Sequence, residues 1–143
     1  MPKKQVEATA RISDSYLIDL QTRQFSLQID QPSPSGKDTA PTPLEYYLCA
    51  LAGCMCTIGK TIAQQKKIDL KSIDVKIVGD INTDYLLGKT KEGRAGFTEI
   101  QMYVAIDAPL SKEEKISFVE EIEERCPLAD NTKKTSVINV IVS

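Results

Sequence analysis

The sequence has no histidine and no tryptophan among its 143 residues. The absence of histidine excludes Ser-His and Cys-His catalytic pairs and every zinc site that needs an imidazole ligand. An excess of charge of one sign is also missing, because 18 basic and 20 acidic residues leave a formal net charge of -2. This balance gives no electrostatic case for binding nucleic acid or an anionic membrane, so small or neutral partners are expected.

Long apolar runs are absent as well. The N-terminal stretch "MPKKQVEATARIS" has two lysines without an apolar run behind them, and no stretch approaches the roughly 18 apolar residues of a membrane span. We therefore expect a cytoplasmic protein with a single domain over residues 1–143. Its four cysteines should then be reduced thiols rather than a structural disulfide framework.

The first half of the chain predicts three strands followed by a long helix. Polar and apolar residues alternate in "ATARIS", "YLIDLQ" and "QFSLQID", which is typical of an antiparallel meander. After the proline-rich loop "QPSPSGKDTAP", Thr42, Pro43 and Glu45 form a helix-start signal with a capping box. The helix is predicted from about residue 43 to residue 67, with its apolar first part buried and its polar end in solvent.

The second half predicts two strands, a helix and a last strand. The strands are "SIDVKIVGDI" and "FTEIQMYVAID", joined by a hairpin or Ω-type loop, "NTDYLLGKTKEGRAG". Ser111 and Glu114 indicate a capping box for a second helix, whose buried face should carry Ile116, Val119 and Ile122. With "SVINVIVS" as the last strand, the order βββ-α-ββ-α-β predicts an α+β fold.

Three cysteines lie close together in the long helix, in "LCALAGCMC". Cys49 and Cys56 share a helix face but lie roughly 10 Å apart along the axis, and Cys54 points elsewhere. This geometry excludes a disulfide between any two of them and a zinc site that uses all three. Cys49 and Cys56 are therefore expected to be small packing residues, as free cysteines usually are.

The fourth cysteine has an informative setting, "EERCPLAD". Pro127 disfavours helical geometry at Cys126, so this residue should leave the second helix and cap a further helical turn. A thiol at a helix N-terminus beside Arg125 is biased toward the thiolate, although plain packing is the alternative. In the long helix, Gly53 directly before Cys54 indicates close approach of another backbone or helix at that level.

The stretches "GKDTAPTPLEYYLCALAGCMCTIGKTIAQQKKIDL", "FTEIQMYVAID" and "CPLADNTKKTSVINVIV" together resemble the OsmC/Ohr family, named for osmotically inducible protein C and organic hydroperoxide resistance protein. The resemblance covers essentially the whole chain. It implies an intertwined α+β homodimer with long central helices and active sites at the subunit interface. It further implies a cysteine-based peroxidase in which Cys54 attacks the peroxide and Cys126 resolves the sulfenic acid as a disulfide.

The resemblance also implies an arginine from an early strand that activates Cys54. Arg11 in "ATARIS" matches that place, and Arg23 is the alternative. The family glutamate that orients this arginine follows the helix-opening proline, but this chain has Leu44 there. Glu45 is one residue later and has a capping role available. The chain is therefore more similar to the broader OsmC-like branch of the family.

The leading hypothesis is a thiol-dependent peroxidase for organic hydroperoxides that works with a dithiol reductant and without metal, flavin or haem. The expected substrate pocket is apolar and is formed by residues of the long helix: Leu44, Tyr46, Tyr47, Leu48, Leu51 and Met55. A second hypothesis is a redox-sensing or binding dimer without rapid turnover, favoured by Leu44 at the glutamate position. A purely structural role, with four unreactive thiols, is the third.

Overall fold

The computed structural model describes all residues, Met1–Ser143. Contacts along the chain group them into two compact units, Met1–Tyr47 and Leu48–Ser143. The combination of antiparallel sheets with helices confirms the predicted α+β class. The single domain over residues 1–143 stays a prediction.

The first unit contains the predicted meander. Its strands are β1 (Thr9–Ile12), β2 (Ile18–Thr22) and β3 (Phe25–Ile29), and they pair antiparallel in the order β1-β2-β3. Arg11 lies opposite Asp19 in the register of β1 with β2. Arg23 lies in the tight turn between β2 and β3 with a positive φ of 49°.

A buried carboxylate organises the proline-rich loop after β3. Asp30 is only 2% exposed, and its two oxygens accept hydrogen bonds from the backbone N–H groups of Gln31, Lys37 and Thr39 and from the Thr39 hydroxyl, at 2.8–3.2 Å. These hydrogen bonds lower the pKa of Asp30 from 3.8 to about 2. The hydrogen bond from the Thr39 backbone N–H makes the largest contribution. The carboxylate therefore fixes the loop that leads into the long helix.

The long helix, α1 (Pro43–Lys66), begins with the predicted capping box. The Thr42 N–H donates to the Glu45 carboxylate at 2.9 Å, and the Glu45 N–H donates to the Thr42 hydroxyl oxygen at 3.2 Å. Five residues of α1 are buried, and all of them lie beyond its second turn: Leu51, Met55, Gly59, Ile62 and Ala63. The prediction that the first part of the helix is buried was wrong for its opening turns, where Tyr47 and Cys49 are exposed in the chain.

By length and composition alone, α1 is also a candidate membrane span, contrary to the expectation from the sequence. Apolar side chains at Leu51, Met55 and Ile62 lie in the protein core. The core helix of a globular protein has the same length and apolar composition.

The second unit combines a two-stranded antiparallel sheet with two consecutive helices. The strands are β4 (Ser72–Asp80) and β5 (Glu99–Asp107), and the helices α3 (Lys112–Arg125) and α4 (Pro127–Lys133) follow them. The predicted loop between β4 and β5 contains a short helix, α2 (Thr83–Leu86), because the Asn82 side chain accepts hydrogen bonds from Asp84 and Tyr85. The core of this unit consists of Leu51, Met55, Ile62, Ala63, Ile106, Phe118, Ile122, Cys126 and Ala129.

The helix α3 has its predicted capping box, with Ser111 and Glu114 exchanging two hydrogen bonds. Its buried face matches the prediction in part, because Ile122 is buried and Val119 packs against the core. Phe118 and Ile122 are buried, whereas Ile116 is 51% exposed. The buried pair is separated by one i, i+4 step, which places both side chains on one stripe, and Ile116 lies outside it.

Residues 136–143 form no strand, so the predicted last strand was wrong for the isolated chain. Their apolar side chains are almost fully exposed, for example Val137 at 89% and Ile141 at 93%. A strand needs a neighbouring strand for its backbone hydrogen bonds, and neither sheet of the chain pairs with this segment.

Candidate active site

Two cysteine sulfurs that are 72 positions apart in sequence meet in the second unit. The Cys126 Sγ lies 2.8 Å from the Cys54 Sγ, and both thiols are free. Cys54 lies in the middle of α1, one turn before the partly buried Ile58, and Cys126 lies between α3 and α4. Two thiols at this separation need little movement to form a disulfide.

Cys126 joins two helices, as the sequence predicts. It is the C-cap of α3, where its N–H donates to the Ile122 carbonyl at 2.9 Å. It is also the N-cap of α4, where its Sγ accepts a hydrogen bond from the Ala129 N–H at 3.5 Å. Pro127 at the first position of α4 explains this geometry, because it forces Cys126 out of the helical region.

The two sulfurs differ in access to solvent. Cys126 is fully buried at 0% exposure, whereas Cys54 is half-buried. A reagent that arrives from solvent therefore meets Cys54 first. This order fits Cys54 as the attacking thiol and Cys126 as the thiol that reacts with it afterwards.

The environment of Cys54 disfavours its thiolate overall. Burial raises the pKa of the Cys54 thiol, the Cys126 thiol adds to this rise, and the N–H of Leu128 opposes it. The Leu128 and Ala129 amides were missed from the sequence, although Pro127 marks the start of the helix that presents them. A fast thiol peroxidase therefore needs a further positive charge near Cys54.

The other two cysteines lie outside this pair. The Cys56 thiol is half-buried and donates to the Ile73 carbonyl at 3.8 Å, in keeping with a packing role. Cys49 is exposed, so the prediction that it is a packing residue was wrong for the isolated chain. Cys49 lies in the second turn of α1, in the part of the helix that is exposed in the chain.

Glycines on α1 do not pack as the sequence suggested. A Cβ on Gly53 would meet nothing within 4 Å, so no backbone of the chain approaches there. A Cβ on Gly59 would instead collide with the side chains of Ile73 and Ile122. Gly59, not Gly53, is the close-packed glycine within the chain.

The arginine candidates both lie in the first unit. Arg11 is exposed on β1 and lines a cavity of about 760 Å³ together with residues such as Gln28, Thr39 and Tyr46. Arg23 is held over the Phe25 ring at 5.0 Å. The role of either arginine toward Cys54 stays a prediction.

Two of the residues that were expected to line an apolar pocket are buried instead. Leu51 and Met55 are each 1% exposed and belong to the core, so neither lines an open pocket. Tyr46 donates its hydroxyl to the Gln28 carbonyl at 2.9 Å within the first unit. Glu45 is engaged in the capping box, where the hydrogen bond from the Thr42 backbone contributes most to lowering its pKa.

The comparisons with known proteins identify the family. The family described as OsmC-like protein matches residues 36–141, which include both cysteines of the pair. The chain belongs to the OsmC-like protein family. Among proteins with curated functions, none matches the chain.

Solved structures of OsmC-like proteins share this fold. An OsmC-like protein from Mycoplasma pneumoniae is 23% identical over 94% of this chain and 91% of its own, with a TM-score of 0.80. An organic hydroperoxide resistance protein OsmC from Legionella pneumophila is 18% identical over 93% and 92%, with a TM-score of 0.70. The organic hydroperoxide resistance protein OhrB of Bacillus subtilis is 16% identical over 92% and 93%, with a TM-score of 0.61.

Proposed function

We propose that this OsmC-like protein is a thiol-dependent peroxidase that reduces organic hydroperoxides. The contact between the Cys54 and Cys126 sulfurs at 2.8 Å carries the proposal, because it supplies an attacking thiol and a resolving thiol in one chain. Two of the similar solved structures are organic hydroperoxide resistance proteins, which supports the substrate class.

The reaction has three steps. The Cys54 thiolate attacks one peroxide oxygen, the O–O bond breaks, and the leaving alkoxide takes a proton to become an alcohol. Cys54 is thereby oxidised to a sulfenic acid, and Cys126 attacks its sulfur to form the disulfide while the hydroxyl group leaves as water. An external dithiol then reduces the disulfide by thiol–disulfide exchange.

Arg11 is the proposed cation for Cys54, and the dithiol reductant completes the cycle without a bound cofactor. The proposed assembly is a homodimer in the cytoplasm. The exposed apolar segment of residues 136–143 supports the dimer, because a second copy could cover it.

Stoichiometric oxidation tests the peroxidase. Reduced protein is mixed with cumene hydroperoxide, and peptide mass spectrometry follows the Cys54–Cys126 disulfide together with loss of peroxide. Cys54→Ser should abolish both, and Cys49→Ser is the matched control on the same helix. Undiminished peroxide loss in the Cys54→Ser protein rules the proposal out.

A redox sensor or binding dimer is the second candidate function. Leu44 at the place of the family glutamate and the burial that raises the Cys54 pKa both favour slow chemistry. Steady-state kinetics with dithiothreitol separates the two, since a sensor oxidises once and then stalls. Repeated turnover excludes the sensor.

A further inference from the structure

A groove of about 660 Å³ lies between β5 and α3 in the second unit, and neither of the paired cysteines lines it. Its apolar walls are formed by Met102, Val104, Ile106, Ile116 and Val119. Ile116 is 51% exposed, although it lies beside these apolar neighbours. A concave site of this volume with apolar walls is typical of small-molecule binding.

The charged side chains of the groove are sorted along α3. Lys112 and Lys115 line one end, whereas Glu120 and Glu123 line the other. The ion pairs of the chain involve other basic residues, so both of these ammonium groups are uncommitted. Glu123 pairs with Lys133 at 2.6 Å, but Glu120 has no ion-pair partner. One end of the groove therefore attracts an anion, and the other end repels one.

Helical spacing sets the length of a ligand that fits this groove. Lys112, Ile116, Val119 and Glu123 follow one another at i+3 and i+4 steps, so they lie on one stripe of α3. From Lys112 to Glu123 this stripe rises about 16 Å, at about 1.5 Å per residue. An extended dodecanoate chain has a similar length. Lys115 is half-buried, so its aliphatic stem extends the apolar wall while its ammonium group stays at the mouth of the groove.

We propose that the groove between β5 and α3 binds an amphiphile with a single anionic head, a saturated carboxylate of about dodecanoate length. The carboxylate lies between Lys112 and Lys115, and the acyl chain covers Ile116 and runs along α3 toward Val119. Glu120 disfavours a second anionic group at the far end. This site goes beyond the proposed peroxidase function and does not depend on it, because neither cysteine takes part.

Calorimetric titration of the full-length protein with dodecanoate, below the concentration at which dodecanoate forms micelles, tests the charged end. Replacing Lys112 and Lys115 together by alanine should raise the Kd about tenfold, as expected for the loss of two ion pairs at a partly exposed site. Replacing Lys89 and Lys91 together by alanine is the matched control, since it removes the same charge from an exposed loop. This control should leave the Kd unchanged.

Two further comparisons test the apolar wall and the far end. Ile116→Ala should weaken dodecanoate binding about fivefold, because apolar contact with the acyl chain is lost. Leu86→Ala is the matched control, since Leu86 is 60% exposed and lies outside the groove. Dodecanedioate should bind about fivefold more weakly than dodecanoate, because its second carboxylate meets Glu120. Glu120→Gln should narrow that difference.

Absence of saturable dodecanoate binding overturns the proposal, and so do equal losses in the two lysine double variants or equal affinities for dodecanoate and dodecanedioate. Sedimentation velocity adds a further check. If Ile116→Ala changes the association of the chain and leaves dodecanoate affinity unchanged, the groove belongs to an interface between copies and the proposal is wrong.

Circular dichroism confirms that each variant is folded. If the alanine double variant at Lys112 and Lys115 is not, the corresponding glutamine double variant repeats the comparison. Because the assay measures binding without peroxide, a failure of this site is distinguishable from a failure of the peroxidase.

Discussion

The Cys56 thiol lies 3.8 Å from the carbonyl oxygen of Ile73 and donates to it, although Cys56 is only two positions from Cys54. This contact directs Cys56 toward β4. We therefore predict that Cys56→Ser and Cys49→Ser leave peroxide consumption unchanged, whereas Cys126→Ser stops turnover after one oxidation. Peroxide-dependent consumption of dithiothreitol provides the measurement, and loss of turnover in Cys56→Ser would contradict the assignment.

Arg11 is expected to activate Cys54 and Arg23 is not. Arg11 is exposed and makes no ion pair, whereas Arg23 is held over Phe25. Replacing Arg11 by alanine should slow Cys54 oxidation about tenfold or more, the effect of losing a hydrogen bond to a charged group. Arg23→Ala is the matched control, and stopped-flow oxidation of the reduced proteins measures both. Equal rates for Arg11→Ala and wild type would remove Arg11 from the site.

Glu45 is expected to stabilise α1 rather than to assist Cys54. Glutamine at this position keeps the acceptor of the capping box, so Glu45→Gln should retain both stability and peroxide rate. Thr42→Ala should cost about 1 kcal/mol, as is usual for loss of an N-cap side chain, without changing the rate. Urea unfolding and peroxide kinetics check both variants. A stable but slow Glu45→Gln protein would instead assign Glu45 the role of the family glutamate.

Gly53 and Gly59 form a matched pair on α1. Gly59→Ala forces a Cβ against Ile73 and Ile122. Overpacking costs about 1–3 kcal/mol, and the better helix propensity of alanine offsets about 1 kcal/mol of this, so a net loss of about 1 kcal/mol in urea unfolding is expected. Gly53→Ala has free space and should stabilise the folded chain slightly.

The same pair reports on the proposed homodimer. If a second copy packs against α1 at Gly53, Gly53→Ala should weaken the dimer in sedimentation velocity although the chain itself has room for the methyl group. Gly59→Ala should leave the association constant unchanged. A dimer unaffected by Gly53→Ala places the interface elsewhere.

The Asp30 carboxylate makes the stability of the folded protein depend on pH. Its pKa falls from 3.8 to about 2 on folding, so the carboxylate stabilises the folded state above pH 3.8 and this contribution is lost as the pH falls toward 2. Asp30→Asn should be less stable than wild type at neutral pH because it loses acceptors for Gln31, Lys37 and Thr39. The difference should shrink as the pH approaches 2, as measured by thermal unfolding. A constant difference across this range would contradict the assignment.

Features with a local cause could be predicted from the sequence. The starts of α1 and α3 follow from capping boxes that lie within four residues, Thr42 with Glu45 and Ser111 with Glu114. The N-cap position of Cys126 follows from Pro127 alone. The roles of Cys54 and Cys126 rest on the family resemblance and stay predictions, although the structure brings their sulfurs to 2.8 Å.

Features with a distant cause could not be predicted in this way. The alternation in residues 136–143 is typical of a strand, yet strand formation depends on a partner edge that local sequence does not specify. Gly53 and Gly59 look alike in sequence, and only the positions of Ile73 and Ile122 decide which one is tightly packed. The Leu128 and Ala129 amides act on the sulfurs through the direction of a short helix, which no residue type reveals.

The position of Cys126, 72 residues after Cys54, also determines how peroxide would alter the unfolded chain. A disulfide between them would close a long loop and remove conformational entropy from the denatured ensemble, equivalent to about 4 kcal/mol at room temperature. The oxidised intermediate would then resist unfolding more strongly than the reduced protein. Exposure to the oxidant would thus lower the unfolded fraction of the chain until a dithiol restored both thiols.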